Sequence, residues 1–122
     1  MNYFSEDELR CQCGCGVYFF DDDALSILNN IRSDCGFPLP VSSGYRCLEH
    51  PLEKHKAHIG AHSTGKAVDL AAVVDGQVRW DWPLYSKLAT AMKRAAEILN
   101  VKIEWGGDWV TFKDGPHFQL KD

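Results

Sequence analysis

Apolar residues recur along this chain with two different periods. Over residues 82–99, Leu84, Leu88, Met92, Ala95 and Leu99 fall mostly three to four apart, the spacing that lines one side of a helix, and Pro83 is tolerated in its first turn. Leu25, Leu28 and Ile31 give a second apolar stripe, which predicts a helix over 22–33 that Gly36 and Pro38 close. A short helix start is read at Ser5, a hydroxyl cap followed by Glu6, Asp7 and Glu8 near the positive end of the dipole. Residues 67–74 alternate instead: Val68, Leu70 and Ala72 on one face, Ala67, Asp69 and Ala71 on the other, as in a strand. Residues 39–45, 101–105 and 116–120 read as three further strands. The polar, His-rich stretch 47–61 reads as a loop with one helical turn. Helices early and between strands, with short connections at the end, predict an α+β domain: a small antiparallel sheet flanked by helices.

Length and composition narrow this. At 122 residues the chain suits one domain spanning 1–122, and 45% hydrophobic residues are enough for a core. The formal net charge of −4 opposes a nucleic-acid binder, which needs a basic face. No apolar stretch is long enough to cross a bilayer, and Met1 to Asp7 lack the basic start and apolar run of a signal peptide. A substrate outside the cytoplasm would then be reached through lysis or a phage-encoded pore. No apolar stripe is left over for a partner, so a monomer is expected. Five cysteines, an odd number, exclude a fully paired disulfide framework within one chain. Cys11, Cys13 and Cys15 cluster in Cys-Gln-Cys-Gly-Cys-Gly, while Cys35 and Cys47 stand alone. The one-residue gaps differ from the usual Cys-x-x-Cys of a zinc knuckle, and reduced thiols in a tight Gly-rich turn are the plainer reading.

Candidate chemistry begins at His62, in His-Ser-Thr-Gly-Lys-Ala-Val-Asp. His62 and Asp69 are both good zinc ligands, and their spacing fits a loop ligand followed by a strand ligand, with Gly65 allowing the turn between them. A carboxylate pointing inward from so apolar a strand is costly unless paired or bound to metal. Alternatively Asp69 faces solvent and His62 is an ordinary loop residue. In Asp-Gly-Pro-His-Phe-Gln-Leu, His117 and Gln119 share a strand face, offering a third ligand and a supporting hydrogen bond. Three protein ligands leave a fourth position open for water, which is the catalytic pattern. Asp114 is placed to act as general base, or is only a turn residue; Glu104 is its rival. Arg46 could hold a substrate carboxylate or a developing oxyanion, or lie on the surface. Trp105, Trp109 and Phe112 line a substrate groove or pack in the core, and Trp105 and Gln119 are the candidates for substrate contact. His50, His55 and His58 read as solvated loop histidines rather than a second metal cluster.

Ser-Gly-Tyr-Arg, His-x-x-Gly-x-Ala-x-Asp, Trp-Gly-Gly-Asp-Trp and Asp-x-Pro-His-Phe, in that order over residues 40–120, resemble the zinc peptidases that cleave peptidoglycan stem peptides. That family includes D-alanyl-D-alanine carboxypeptidases and dipeptidases and the L-alanyl-D-glutamate endopeptidases of phage endolysins. The resemblance implies a Hedgehog/D-Ala-D-Ala peptidase-like α+β fold, with zinc held by His62, Asp69 and His117. It also implies Asp114 as the acidic catalytic residue and Arg46 as the residue facing the transition state. Trp105 to Trp109 is similar to the endolysin branch. One departure is Gly60, where the family usually has Ser two positions before the first ligand. The expectation is hydrolysis of a stem-peptide amide bond by metal-activated water. Its rivals are removal of a terminal D-Ala by the same chemistry, a catalytically silent zinc domain that binds wall peptide, and a phage component with a vestigial site.

Overall fold

The computed structural model describes residues 4–32, 37–111 and 113–121. Ser33 and Gly36, invoked above for the end of a helix, Cys35, and Phe112 lie outside them. Ser5 caps helix α1 (Glu6–Leu9) with a capping box: its hydroxyl accepts from the Glu8 N–H while the Glu8 carboxylate takes the Ser5 N–H. Helix α2 (Asp22–Arg32) starts where the Asp21 carboxylate accepts the N–H groups of Asp23 and Ala24. Strand β1 (Val41–Ser43) leads to the polar loop and a 3-10 turn at Ala61–Thr64, followed by β2 (Ala67–Leu70). A hairpin of β3 (Ala72–Val74) and β4 (Gln77–Arg79) precedes the long helix α3 (Trp82–Ile98). Strand β5 (Ile103–Trp105), a 3-10 turn at Gly106–Asp108 and β6 (His117–Leu120) complete the chain.

Strands β1, β2, β6 and β5 form one sheet in that order, antiparallel throughout. Ile27, Leu28 and Ile31 of α2 join Leu88 and Met92 of α3 over Val68, Leu70 and Phe118 of the sheet in one core. Burying each such side chain stabilises the fold by about 1.5–3 kcal/mol before entropy is counted. The fold class is therefore the expected one. Among the described residues, no helix is long and apolar enough to cross a membrane.

The expected strand over 67–74 is in fact two strands that belong to different sheets. Beyond Leu70 the neighbouring chain offers Pro38 and Pro40, whose carbonyls accept from Val73 and Ala71 but which have no N–H to return. The ladder stops there, and Ala72–Val74 turns to pair with Gln77–Arg79. The hairpin turns at Asp75-Gly76, with φ of 54° and 76°, both in the left-handed region that a two-residue turn requires. Tyr85 of α3 anchors the hairpin: its hydroxyl donates to the Arg79 carbonyl and accepts from the Ala72 N–H.

Candidate metal centre and catalytic site

Register places two of the candidate ligands face to face. Asp69 of β2 pairs directly with His117 of β6, flanked by Val68 with Phe118 and Ala67 with Gln119. The period of two then sends Val68 and Phe118 into the core, and Asp69, His117 and Gln119 to the opposite face. On the other side of β2, Ser43 pairs with Asp69 across an irregular register in which Ser42 is the extra residue. Its hydroxyl donates to the Asp69 carbonyl. His62 arrives from the 3-10 turn, which ends at Gly65 with φ of 72°, the conformation expected of the residue that turns the chain from loop to strand.

Both imidazoles are buried, at 4% exposure for His62 and 7% for His117. Each ring has one nitrogen turned outward to an oxygen that accepts. His62 Nδ1 lies 2.8 Å from the Gly44 carbonyl and must donate to it, which leaves Nε2 as the lone-pair nitrogen. His117 lies between two oxygens that accept, with Nε2 2.8 Å from Gln119 Oε1 and Nδ1 3.0 Å from Asp69 Oδ1; an ion at Nδ1 would leave Nε2 donating to Gln119. The inner nitrogens converge on one carboxylate oxygen: Asp69 Oδ1 is 3.0 Å from His117 Nδ1 and 3.5 Å from His62 Nε2. The second separation is beyond ordinary hydrogen-bond reach, and His62 Nε2 is a buried nitrogen with no hydrogen-bond partner among the described residues. A tetrahedral ion with bonds of about 2.0–2.1 Å holds its ligand atoms about 3.3–3.4 Å apart. The three ligand atoms, all within 4.8 Å of one another, fit a His-Asp-His metal site, and the orphaned nitrogen is the atom such an ion would satisfy.

Charge follows the same design. Burial alone would raise the Asp69 carboxyl, but the His117 and His62 imidazoles beside it hold it well below the usual carboxylate range. Burial would lower His117, yet its bonds to Asp69 and Gln119 push it up. Asp114 moves the other way from Asp69: burial raises its carboxyl and the Asp69 charge raises it further, against smaller opposing effects of His117, His62 and Arg46. Its backbone sits beside the 3-10 turn, where the Asp114 N–H donates to the Gly106 carbonyl and its own carbonyl accepts from the His117 N–H. A Cβ on Gly106 would fall 2.2 Å from the Asp114 carbonyl oxygen, so this approach requires glycine.

Arg46 is not a surface residue. Its Nε donates to the Ser43 hydroxyl at 2.9 Å, one terminal nitrogen to Glu53 at 3.0 Å, and the other to Asp69 Oδ2 at 3.2 Å. Among the described residues, three of its five N–H groups are thus committed. Glu53, which nothing in the sequence reading singled out, is 5% exposed and also accepts from Lys56 and Ser63. These partners keep its carboxyl below the ordinary value despite burial, which acts to raise it. It also crowds Gly60, where a Cβ would lie 3.0 Å from Glu53 Oε1. The space next to Gly60 is taken by the Glu53 carboxylate.

Two expectations for substrate contact change. Trp105 is 8% exposed, stacks on Phe118 at 6.4 Å and donates its ring N–H to the Gly115 carbonyl. It is a core residue because β5 pairs it with Phe118, on the inward face. Gln119 is engaged with His117 and serves that ring directly. The aromatic beside the centre is Trp109, 5.1 Å from the His117 ring, whose N–H is taken by Glu104 at 2.9 Å. His50, His55 and His58 form no ligand cluster among the described residues.

Comparison with known proteins places this geometry in a lineage. Residues 54–120 match a peptidase family described as D-alanyl-D-alanine carboxypeptidase. The chain is 26% identical over 86 residues to the L-alanyl-D-glutamate peptidase of Escherichia phage T5, covering 70% of this chain and 58% of the relative. It is 34% identical over 64 residues to the peptidoglycan L-alanyl-D-glutamate endopeptidase CwlK of Bacillus subtilis, covering 48% and 38%. The chain thus spans about half the length of the curated relatives it matches. Among solved structures, the Serratia marcescens L-Ala D-Glu endopeptidase ChiX superposes with a TM-score of 0.74 at 36% identity, covering 84% of this chain and 80% of that one. The matched segment holds His62, Asp69, Asp114 and His117 together, and by that match the chain belongs to the D-alanyl-D-alanine carboxypeptidase family of peptidases.

Proposed function

We propose that this chain is a zinc-dependent endopeptidase that cuts the L-alanyl-D-glutamate bond of peptidoglycan stem peptides. The observation that carries the metal is the convergence of two imidazoles, each with its outer nitrogen on an acceptor, on Asp69 Oδ1 with His62 Nε2 left over. The relatives named for L-alanyl-D-glutamate cleavage support the choice of bond.

His62, Asp69 and His117 would hold the ion. When bound there, zinc supplies a Lewis acid and brings the pKa of water down to about 7. Asp114 then needs only to take a proton on its carboxylate and return it to the leaving amine. Its half-buried place beside the candidate ligands suits it to that exchange. Arg46 braces Asp69 and directs its remaining N–H groups at charge developing on the amide oxygen. Trp109 closes one side of the His117 ring and excludes water from it.

The family description favours a second reading, release of a terminal D-Ala by the same groups. Mass spectrometry of purified peptidoglycan after incubation, with and without a zinc chelator, separates them. Fragments cut between L-Ala and D-Glu that vanish with chelator are expected. Loss of single D-Ala residues would transfer the activity to the carboxypeptidase reading. Intact peptidoglycan from several wall types, with zinc still bound, would leave a binding domain.

A further inference from the structure

Cys11, Cys13 and Cys15 lie in the turn after α1, and Cys47 in the loop after β1. Sequence alone leaves Cys47 apart from the others, but the fold brings all four together. Cys11 Sγ is 3.5 Å from Cys13 Sγ, and Cys13 Sγ is 3.4 Å from Cys47 Sγ. All four sulfurs lie within 4.8 Å of one another. A disulfide joins a pair, and gives no reason for four thiols to share one point. A tetrahedral ion with Zn–S bonds of about 2.3 Å gives one, since it separates its sulfurs by about 3.8 Å.

The local backbone serves this convergence. Gly14 has φ of 101° and Gly16 of 72°, and a Cβ on either would meet only open space. They are glycine for conformation, not for packing. Two such turns let residues 11, 13 and 15 aim at a common centre with one-residue gaps, in place of the two-residue gaps of a zinc knuckle. Backbone N–H groups point at the outer sulfurs: Cys47 N lies 3.3 Å from Cys11 Sγ and Val17 N 3.4 Å from Cys15 Sγ. Such donors favour the thiolate form that metals bind. Cys13 and Cys15 are exposed, so hydrophobic packing does not account for them.

We propose that Cys11, Cys13, Cys15 and Cys47 form a second metal site, a closed tetrathiolate that holds one structural zinc ion. Binding converts the four thiols to thiolates and releases their protons to solvent. The site fastens the N-terminal turn to the loop that serves the first centre. In that loop the Gly44 carbonyl orients His62, Tyr45 N–H donates to the Leu9 carbonyl at 2.8 Å, and Arg46 N–H donates to the His62 carbonyl at 3.1 Å. Gly44 lets this happen, because a Cβ there would fall 2.6 Å from the Leu9 carbonyl oxygen. The tetrathiolate would close the same clasp at Cys47.

This inference is independent of the peptidase reading, since His62, Asp69 and His117 contain no sulfur. The test is cobalt titration of the reduced, metal-free protein, with zinc content measured in parallel. Expected is an intense thiolate-to-cobalt charge-transfer band that zinc abolishes, present also in the His62→Ala/His117→Ala double variant. One zinc ion per chain should remain in that double variant, and Cys13→Ser should lose one ion relative to the parent protein. A cobalt spectrum without a thiolate band would overturn the site, and needs no cysteine variant to fold. So would zinc content that drops to nothing in the double variant, or two disulfides among these cysteines with metal content indifferent to Cys13→Ser.

Discussion

Asp69 works with both carboxylate oxygens, one towards the two imidazoles and the other towards Arg46. That division would let Arg46 hold Asp69 in place without competing for an ion at the proposed site. Asp114, outside the ligand set, should then be separable from metal binding: Asp114→Asn should keep the ion and lose about a hundred- to ten-thousand-fold in turnover. Glu104→Gln should lose far less, because its carboxylate is occupied by the Trp109 ring N–H. Turnover and metal content measured on both variants check this, and the reverse order would make Glu104 the base. Gln119→Ala should weaken metal affinity by about ten- to a hundredfold by releasing the His117 tautomer, measured by competition with a chelator of known affinity. The three candidate ligands were legible because each carries its chemistry in its residue type and lies in a short motif. Glu53 was not: it lies in a run of polar residues that reads as solvated. Its burial comes from Arg46, Ser63 and the missing side chain of Gly60, none of which is its neighbour in sequence.

Among elements, the antiparallel pairing of β2 with β6 does most to build the centre, because it sets Asp69 opposite His117. The alternation of polar and apolar residues announced both strands and both faces. It did not announce the break at Ala71, which depends on Pro38 and Pro40 lying alongside. The hairpin, in contrast, carried a local signal in Asp75-Gly76 between apolar runs, and reading 67–74 as one strand passed over it. The choice between groove and core for Trp105 was open for a similar reason, since its face follows from pairing with Phe118 and not from its motif. The 3-10 turn at Gly106–Asp108 offers a direct test of element on site. Gly106→Ala puts a methyl group against the Asp114 backbone and should cost about 1–3 kcal/mol of stability. Because Asp114 is what must move, activity should fall beyond the stability loss, as seen by comparing denaturant midpoints with turnover at a temperature where the variant is folded.

For the whole molecule, the N-terminal segment acts as a brace across the core. Arg32 of α2 makes a two-pronged pair with Glu8 of α1 at 2.9 and 2.6 Å, and lies over the Phe4 ring at 3.9 Å. The Phe4 N–H reaches Asn29 at 2.8 Å. The Arg32 hydrogen bond lowers the Glu8 carboxyl below its ordinary 4.5, against partial burial. A carboxyl depressed by folding stabilises above its unfolded pKa, and that stability is lost as pH falls through the folded value. Glu8→Gln should therefore lower the thermal midpoint at neutral pH and flatten its decline in acid below about pH 4.5. Thermal melts across pH on both proteins measure it, and parallel curves would refute the pairing as a source of stability.

The strands carrying Asp69 and His117 are immediate neighbours, although the chain between them includes a hairpin, a helix and another strand. Seen from these two residues, the chain between β2 and β6 is one excursion that leaves β2 and returns beside it. Within it the Asp75-Gly76 tip is exposed, next to a strand exposed along its length. Extra residues spliced in there would lengthen the path without altering the closure, so the tip is a natural port for grafting a cell-wall-targeting peptide onto the protein.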